Sequence, residues 1–316
     1  MDPGHFFASS RVLIVAGKGG VGKSATAATL ALAAARTGRS VLLVEVAGRS
    51  ATAPMFGAEP PGYEEREVYD DADGGSVRCR SITPDDALVE WLSTHGFRRI
   101  VRRMARSGLL EVIATATPGV KDLLVLGRIK ALEADDDADL IIVDAPAAGH
   151  ALGFLRAPVG VRDTARTGVL NRQAREVLEM LGDPGRCRVM LVSIPEETPV
   201  NELVETSFAV EDEIGLALGP VVINGIVPPL EGLDEPLPSG PPPGVSDVEL
   251  TEMGAAARLR RERVALQGEQ LDRLAERLPL QQLRLPQVFG TTLGPDELRT
   301  LSDALLEGVG SLEAWA

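Results

Sequence analysis

The chain predicts an α/β fold, a doubly wound, mostly parallel sheet with an inserted helical subdomain. Three observations point there. The most apolar stretches are continuous runs, such as Val41-Leu42-Leu43-Val44 and Leu140-Ile141-Ile142-Val143, with no in-out alternation. Strands read this way when both faces are covered, as in a parallel sheet. Helical stretches separate the runs, which is the rhythm of βαβ units. Finally, a glycine-rich turn sits between the first run and the first helix, where a doubly wound fold places a binding crevice.

Taken in order, a strand over Arg11 to Ala16 leads through the glycine-rich turn into an Ala-rich helix from about Gly22 to Arg36. Gly38 ends that helix and the second strand follows at Val41–Val44. Further buried strands are expected at Leu140–Val143, Val189–Val192 and Val221–Ile223. The stretch from about Thr83 to Leu132 reads as helical, Leu-rich and without a convincing strand, with breaks at Gly108 and Pro118-Gly119. A second helical stretch covers about Val161 to Leu181. The segment from Pro228 to Ser246 is rich in Pro, Gly and acids and predicts a mobile surface excursion. A long amphipathic helix to Arg277, a short strand and an acidic final helix complete the chain. The expected organisation is a single domain over 1–316, with helical insertions at about 84–135 and 155–182 and a flexible loop at about 228–246.

Bulk properties narrow the function. The 316 residues carry a formal net charge of −14, which repels phosphate backbones and anionic lipid, so neither nucleic acid nor a membrane surface is an expected partner. The run Arg98, Arg99, Arg102, Arg103 and Arg106 has helical spacing and reads as a solvated face. Cys79 and Cys187 form no C-x-x-C pair and read as buried free thiols. With three histidines, His5, His95 and His150, there is little from which to build a His-based metal site. No apolar run approaches the roughly 18 residues that span a bilayer, and the first residues lack a basic-then-apolar leader. The expected compartment is the cytoplasm.

Gly17-Lys18-Gly19-Gly20-Val21-Gly22-Lys23-Ser24, followed by Ala25, fits G-x-x-x-x-G-K-[ST]. Glycines let consecutive backbone N–H groups turn inward around phosphate oxygens. Lys23 supplies a point charge, the Ser24 hydroxyl reaches Mg²⁺, and the helix that starts here adds its positive dipole end. At average residue frequencies the pattern arises by chance about once in a hundred chains of this length. The only lysines are Lys18, Lys23, Lys121 and Lys130, and two of these four fall inside one eight-residue loop of a chain that otherwise uses Arg. A compact ammonium fits there where an Arg fork would not. Asp144 ends the strand Leu140–Val143, which points its carboxylate into the crevice and within reach of Mg²⁺ through water; the bland alternative is a turn-capping Asp.

With its second-place lysine the loop is the deviant Walker signature, and the chain resembles the ArsA family. That family holds the bacterial arsenical pump-driving ATPase and the eukaryotic guided-entry ATPase for tail-anchored proteins; MinD, ParA and nitrogenase iron protein are remoter relatives. Asp144-Ala145-Pro146-Ala147-Ala148-Gly149-His150-Ala151-Leu152 is similar to the family's D-T-A-P-T-G-H-T-L switch, and Thr117-Pro118-Gly119-Val120 to its P-G-I segment. Arg260-Arg261 to Leu271 resembles the R-R-x-x-Q-x-x-x-L helix before the adenine loop.

The resemblance implies a dimer, of identical or paralogous subunits, closed by ATP and opened by hydrolysis. Lys18 would reach the partner's phosphates, and the cargo, protein or small molecule, is left unnamed. ATP or ADP with Mg²⁺ would be held by residues 17–25, Glu196 would lie in the nucleotide pocket, and Asn224 would read adenine with Pro286 and Gln287 in the adenine loop. The residues after Asn224 are Gly225, Ile226 and Val227, without the carboxylate that guanine usually needs. The chain departs from the family at Ala47, where switch I carries a water-orienting Asp. Glu45 is the carboxylate available instead, for Mg²⁺ or water, beside the metal candidates Ser24 and Asp144. The alternative is a weakly or non-hydrolysing subunit that pairs with a paralogue. A MinD-like positioning role would need a basic C-terminal helix, and this tail is acidic. The absence of C-x-x-C, a Cys cluster and a Met-rich hairpin argues against copying arsenic or tail-anchor functions.

Overall fold

A computed structural model describes residues 1–46, 51–71, 74–94, 119–135, 137–146, 148–233, 235, 238, 240–290 and 292–313, the side chains of 148–150 excepted. Ala47, His95, the arginines from 98 to 106, Thr117, Pro118, the His150 side chain and four positions of the 228–246 loop lie outside the described residues.

Eight strands form one sheet in the order β3-β4-β2-β5-β1-β6-β7-β8. They are β1 Val12–Gly17, β2 Ser40–Val46, β3 Arg66–Asp70, β4 Ser76–Ile82, β5 Leu140–Asp144, β6 Cys187–Ser193, β7 Val221–Ile226 and β8 Gln282–Pro286. Every neighbouring pair is parallel except the β3–β4 edge. The helices, in chain order, are α1 Pro3–Phe6, α2 Lys23–Ala35, α3 Pro84–Thr94, α4 Val120–Asp135, α5 Ala148–Thr164, α6 Val169–Leu181, α7 Glu197–Phe208, α8 Asp247–Arg277 and α9 Pro295–Gly310. A short 3₁₀ helix, Ala53–Phe56, follows β2.

The continuous apolar runs are explained by two cores, one on each face. Val12, Ile14, Leu42, Val44, Ile141 and Val143 point to the side covered by α4 to α8, where Leu123, Phe154, Val177, Leu203 and Leu274 meet them. Their neighbours Leu13, Val15, Val41, Leu43, Leu140 and Ile142 point to α2 and α9, against Leu30, Leu298 and Leu301. A strand buried on both faces has no polar position to spare.

Two strands were not anticipated. β3 and β4 read Arg-Glu-Val-Tyr-Asp and Ser-Val-Arg-Cys-Arg-Ser-Ile, where charged residues break up the apolar pattern. β3 is the edge strand and is largely exposed, whereas β4, paired on both sides, is mostly buried but carries Arg78 and Arg80, which pair with Glu65. The apolar signal on which the other strands were recognised is therefore weak in both. The helical stretch expected over Val161–Leu181 is made of two helices, α5 starting at Ala148 and α6 beginning after Gly168. Gly168 has φ of 101°, which a side chain would resist, and the helix breaks there. Cys79 and Cys187 are free and buried, and burial pushes each thiol up to about 12. No described helix is long and apolar enough to cross a membrane.

Gly75 sits where β4 enters against the end of α2: a Cβ there would lie 1.7 Å from the Ala35 carbonyl oxygen. Backbone cannot retreat as a flexible side chain can. Gly75→Ala is therefore expected to lower stability by about 1–3 kcal/mol, read as a lower urea midpoint. An unchanged midpoint would show that α2 and β4 do not hold this close approach.

Candidate functional site

β1 lies between β5 and β6, and the chain crosses from β1 to β2 on one side and later to β6 on the other. The crevice at the C-terminal ends of these strands is the topological switch point of the sheet. The loop from Gly17 to Gly22 rises from β1 at that place and feeds α2.

The loop's glycines are explained by what surrounds them. A Cβ on Gly17 would fall 2.3 Å from the Val192 carbonyl of β6, and one on Gly22 would fall 2.2 Å from Asn224 Nδ2. Gly22 also has φ of 91° as the residue before α2. Asn224, on β7, donates from Nδ2 to the Val21 carbonyl at 3.0 Å, so the loop is pinned from β7 as well as from β1. Its Oδ1 accepts nothing from the described residues. The first turn of α2 itself holds no acidic residue, so its positive end is met only by groups from other elements.

Lys23 folds back onto its own loop, donating from Nζ to the Lys18 carbonyl at 3.1 Å. Burial lowers its pKa, against the opposing pull of Asp144. Lys18, in contrast, pairs with Glu202 of α7 at 2.6 Å, both side chains about 40% exposed. An exposed pair of this kind is worth about 0–1 kcal/mol and is readily exchanged. Beside it a cavity of about 500 Å³ opens among Gly17, Lys18, Gly19, Leu152, Pro199 and Glu202.

On the other side of β1 lie two carboxylates. Glu45 and Asp144 are register partners at the tips of β2 and β5 and are 1% and 9% exposed. Ser24 donates its hydroxyl to Asp144 Oδ2 at 2.6 Å. Glu45 Oε1 accepts from both the backbone N–H and the hydroxyl of Thr52, at 2.6 and 2.7 Å. The remaining oxygens, Asp144 Oδ1 and Glu45 Oε2, are buried without a hydrogen-bond partner among the described residues. Burial raises the Asp144 pKa to about 6, with Glu45 adding to the rise while the Ser24 hydrogen bond and Lys23 oppose it. Two desolvated carboxylates with orphaned oxygens, next to a hydroxyl, are the oxygen donors a hard divalent cation takes. The donor set fits Mg²⁺.

The remaining candidates lie along the same edge. Glu196 is exposed, three residues past β6, at the start of α7, and its side chain makes no capping bond. Pro286 ends β8 opposite Ile226, and the Gln287 N–H donates to the Ile226 carbonyl at 2.7 Å. The helix motif ending at Leu271 acquires a physical meaning: Gln267 of α8 accepts from the Val227 N–H at 2.8 Å and donates to the Gly225 carbonyl at 3.1 Å. It thereby holds the chain after Asn224, while Leu271 is buried in the core. Reasoning from the sequence missed Thr52 and Glu202. Neither has a motif; each is brought in by a tertiary contact.

The family model for anion-transporting ATPases matches residues 10–170, which contain the loop, Glu45 and Asp144. The chain belongs to the anion-transporting ATPase family. Among its relatives, the ATPase BagA of Mycobacterium tuberculosis strain H37Rv is 36% identical over 227 residues, covering 69% of this chain and 66% of its own length. A Halobacterium salinarum protein provisionally named arsenical pump-driving ATPase is 25% identical over 320 residues, 95% of this chain and 45% of its own. The ATPase get3 of Neurospora crassa is 29% identical over 205 residues, 62% of this chain and 56% of its own. The match with the mycobacterial ATPase thus spans just under two thirds of that relative's length.

The raised Asp144 pKa has a thermodynamic sign. The folded protein holds this proton to about pH 6, whereas the ordinary value is 3.8. Any stability this group contributes is complete below about pH 4 and is lost as pH rises through about 6. Asp144→Asn is therefore expected to stabilise the nucleotide-free protein by on the order of 2–3 kcal/mol at pH 7 and very little at pH 4. Denaturation midpoints of both proteins from pH 4 to 8 test this; a difference that does not grow with pH rejects it.

Proposed function

We propose that this family member binds ATP and ADP with Mg²⁺ at the loop and hydrolyses ATP, acting as a dimeric switch that couples its nucleotide state to a partner or cargo. The observation that carries the reading is the arrangement at the head of α2: a glycine loop and Lys23 beside two buried carboxylates whose free oxygens lack a partner. Such a site is poorly stable by itself and gains from a polyanion with its cation.

In this reading residues 17–25 hold the phosphates, the loop amides and Lys23 meeting their charge. The hydroxyl of Ser24 and the carboxylates of Asp144 and Glu45 hold Mg²⁺, which supplies charge neutralisation on the phosphate oxygens. Lys23 exchanges the Lys18 carbonyl for phosphate, a swap of one hydrogen bond for a charge-assisted one. Asn224 offers Oδ1 to the exocyclic amine of adenine, with Pro286 and Gln287 beyond it and Glu196 at the rim. Lys18 leaves Glu202 to reach the facing subunit's phosphates, and Glu45 orients the attacking water.

The chain works as one nucleotide-binding domain. The described helices α3, α4, α5 and α6, which lie within 84–135 and 148–181, carry the change to the partner. We place it in the cytoplasm, with neither nucleic acid nor membrane as its partner. Ala47, where the family's switch I carries Asp, favours a second reading, a weakly hydrolysing subunit that pairs with a paralogue.

Turnover of ATP with Mg²⁺, measured across protein concentrations, separates the two. A specific rate that rises with concentration and disappears in Lys18→Ala, with ATP binding kept, is the expected result. ATP binding without turnover selects the second reading. Lys23→Ala is expected to weaken nucleotide affinity at least tenfold by removing a charge-assisted contact. Unchanged affinity in that variant would overturn the assignment of the loop.

A further inference from the structure

Glu45 alone could offer a cation either of its oxygens, in whichever rotamer it took. Its surroundings remove that choice. Oε1 takes two hydrogen bonds from one residue, the Thr52 N–H at 2.6 Å and the Thr52 hydroxyl at 2.7 Å, while Oε2 is buried and takes none from the described residues. Glu45 and Thr52 are both almost wholly buried, at 1% and 0% exposure, so water does not compete for these bonds. Nor is Thr52 free to follow its partner. It leads directly into the 3₁₀ helix Ala53–Phe56, whose Ala53 is buried and whose Met55 and Phe56 pack on the core shared by α2 and α9. Gly57, at the end of that turn, sits close enough to α9 that a Cβ would meet Pro295 Cγ at 3.4 Å. On the other side the Thr52 hydroxyl lies 4.0 Å from Cys79 Sγ of β4.

We propose that Thr52 is a positioning residue of the cation site: it clamps one oxygen of Glu45 so that the other is presented, preorganised, beside Asp144. The inference rests on the nucleotide and magnesium reading given above. Thr52 touches neither phosphate nor metal in this scheme and acts only through Glu45. A carboxylate that binds metal is commonly held by such an outer partner, and loss of the partner weakens metal affinity about 10- to 100-fold. The hydroxyl is the part of the clamp that a substitution can remove, since the backbone N–H stays.

The test uses the full chain loaded with ADP and titrated with Mn²⁺, free Mn²⁺ being followed by its paramagnetic resonance. ADP affinity without metal is measured alongside. Thr52→Val keeps the side chain's shape and removes the hydroxyl; Thr52→Ser keeps the hydroxyl and removes a methyl group. The expected result is a Mn²⁺ affinity about tenfold weaker in Thr52→Val, metal-free ADP affinity unchanged, and recovery to near wild type in Thr52→Ser. A merely structural role for Thr52 would lower both affinities together, or would leave Thr52→Ser as impaired as Thr52→Val, and either result overturns the proposal. Wild-type Mn²⁺ affinity in Thr52→Val, with weakened affinity in Glu45→Gln, also overturns it and leaves the nucleotide reading intact. If the wild-type protein binds no ADP, the nucleotide reading itself fails and this inference falls with it.

Discussion

Asp144 and Glu45 carry a cost that the rest of the site is organised around. They stand side by side at neighbouring strand tips, nearly dry, each with one oxygen satisfied and one left without a partner. Burying one charged carboxylate is unfavourable, and two together repel. A fold selected for stability alone would place apolar residues here, as it does one residue earlier on both strands with Val44 and Val143. A parallel sheet collects its strand ends at one crevice, and in the proposed reading a cation with an anion would relieve both charges there.

The protein contains the carboxylates with rigid neighbours and leaves the cations looser. Ser24 is fixed at the start of α2, and Thr52 at the start of a turn packed on the core. Lys23 and Lys18, by comparison, rest on makeshift partners, a loop carbonyl and the exposed Glu202. These contacts are cheap to break. An acceptor that must be ready before the ligand arrives is preorganised, whereas a donor that must move to it is only parked.

The loop between them is held by contacts from three strands. Gly17 lies against the β6 carbonyl of Val192, Val21 is bonded by Asn224 of β7, and β1 itself is flanked by β5 and β6. Gln267 of α8 in turn fastens the backbone on either side of Ile226. The glycine loop and the chain that leads to Gln287 are thus both fastened to one strand, β7.

What the residues alone determined was the class of fold, the central strands, the glycine loop with Lys23 and Ser24, and the carboxylate of Asp144. Each of these is a local signal: a run buried on both faces admits only apolar residues, and a loop that wraps an anion needs glycines and a cation at set spacing. β3 and β4 were invisible because charge interrupts the pattern in both, on the exposed edge strand β3 and at Arg78 and Arg80 of the mostly buried β4. The partners of the charges were decided only by the tertiary structure. Thr52 meets Glu45 across seven residues of chain, and Glu202 meets Lys18 across 184. Pairings like these come from how elements dock, and no spacing along the chain encodes them.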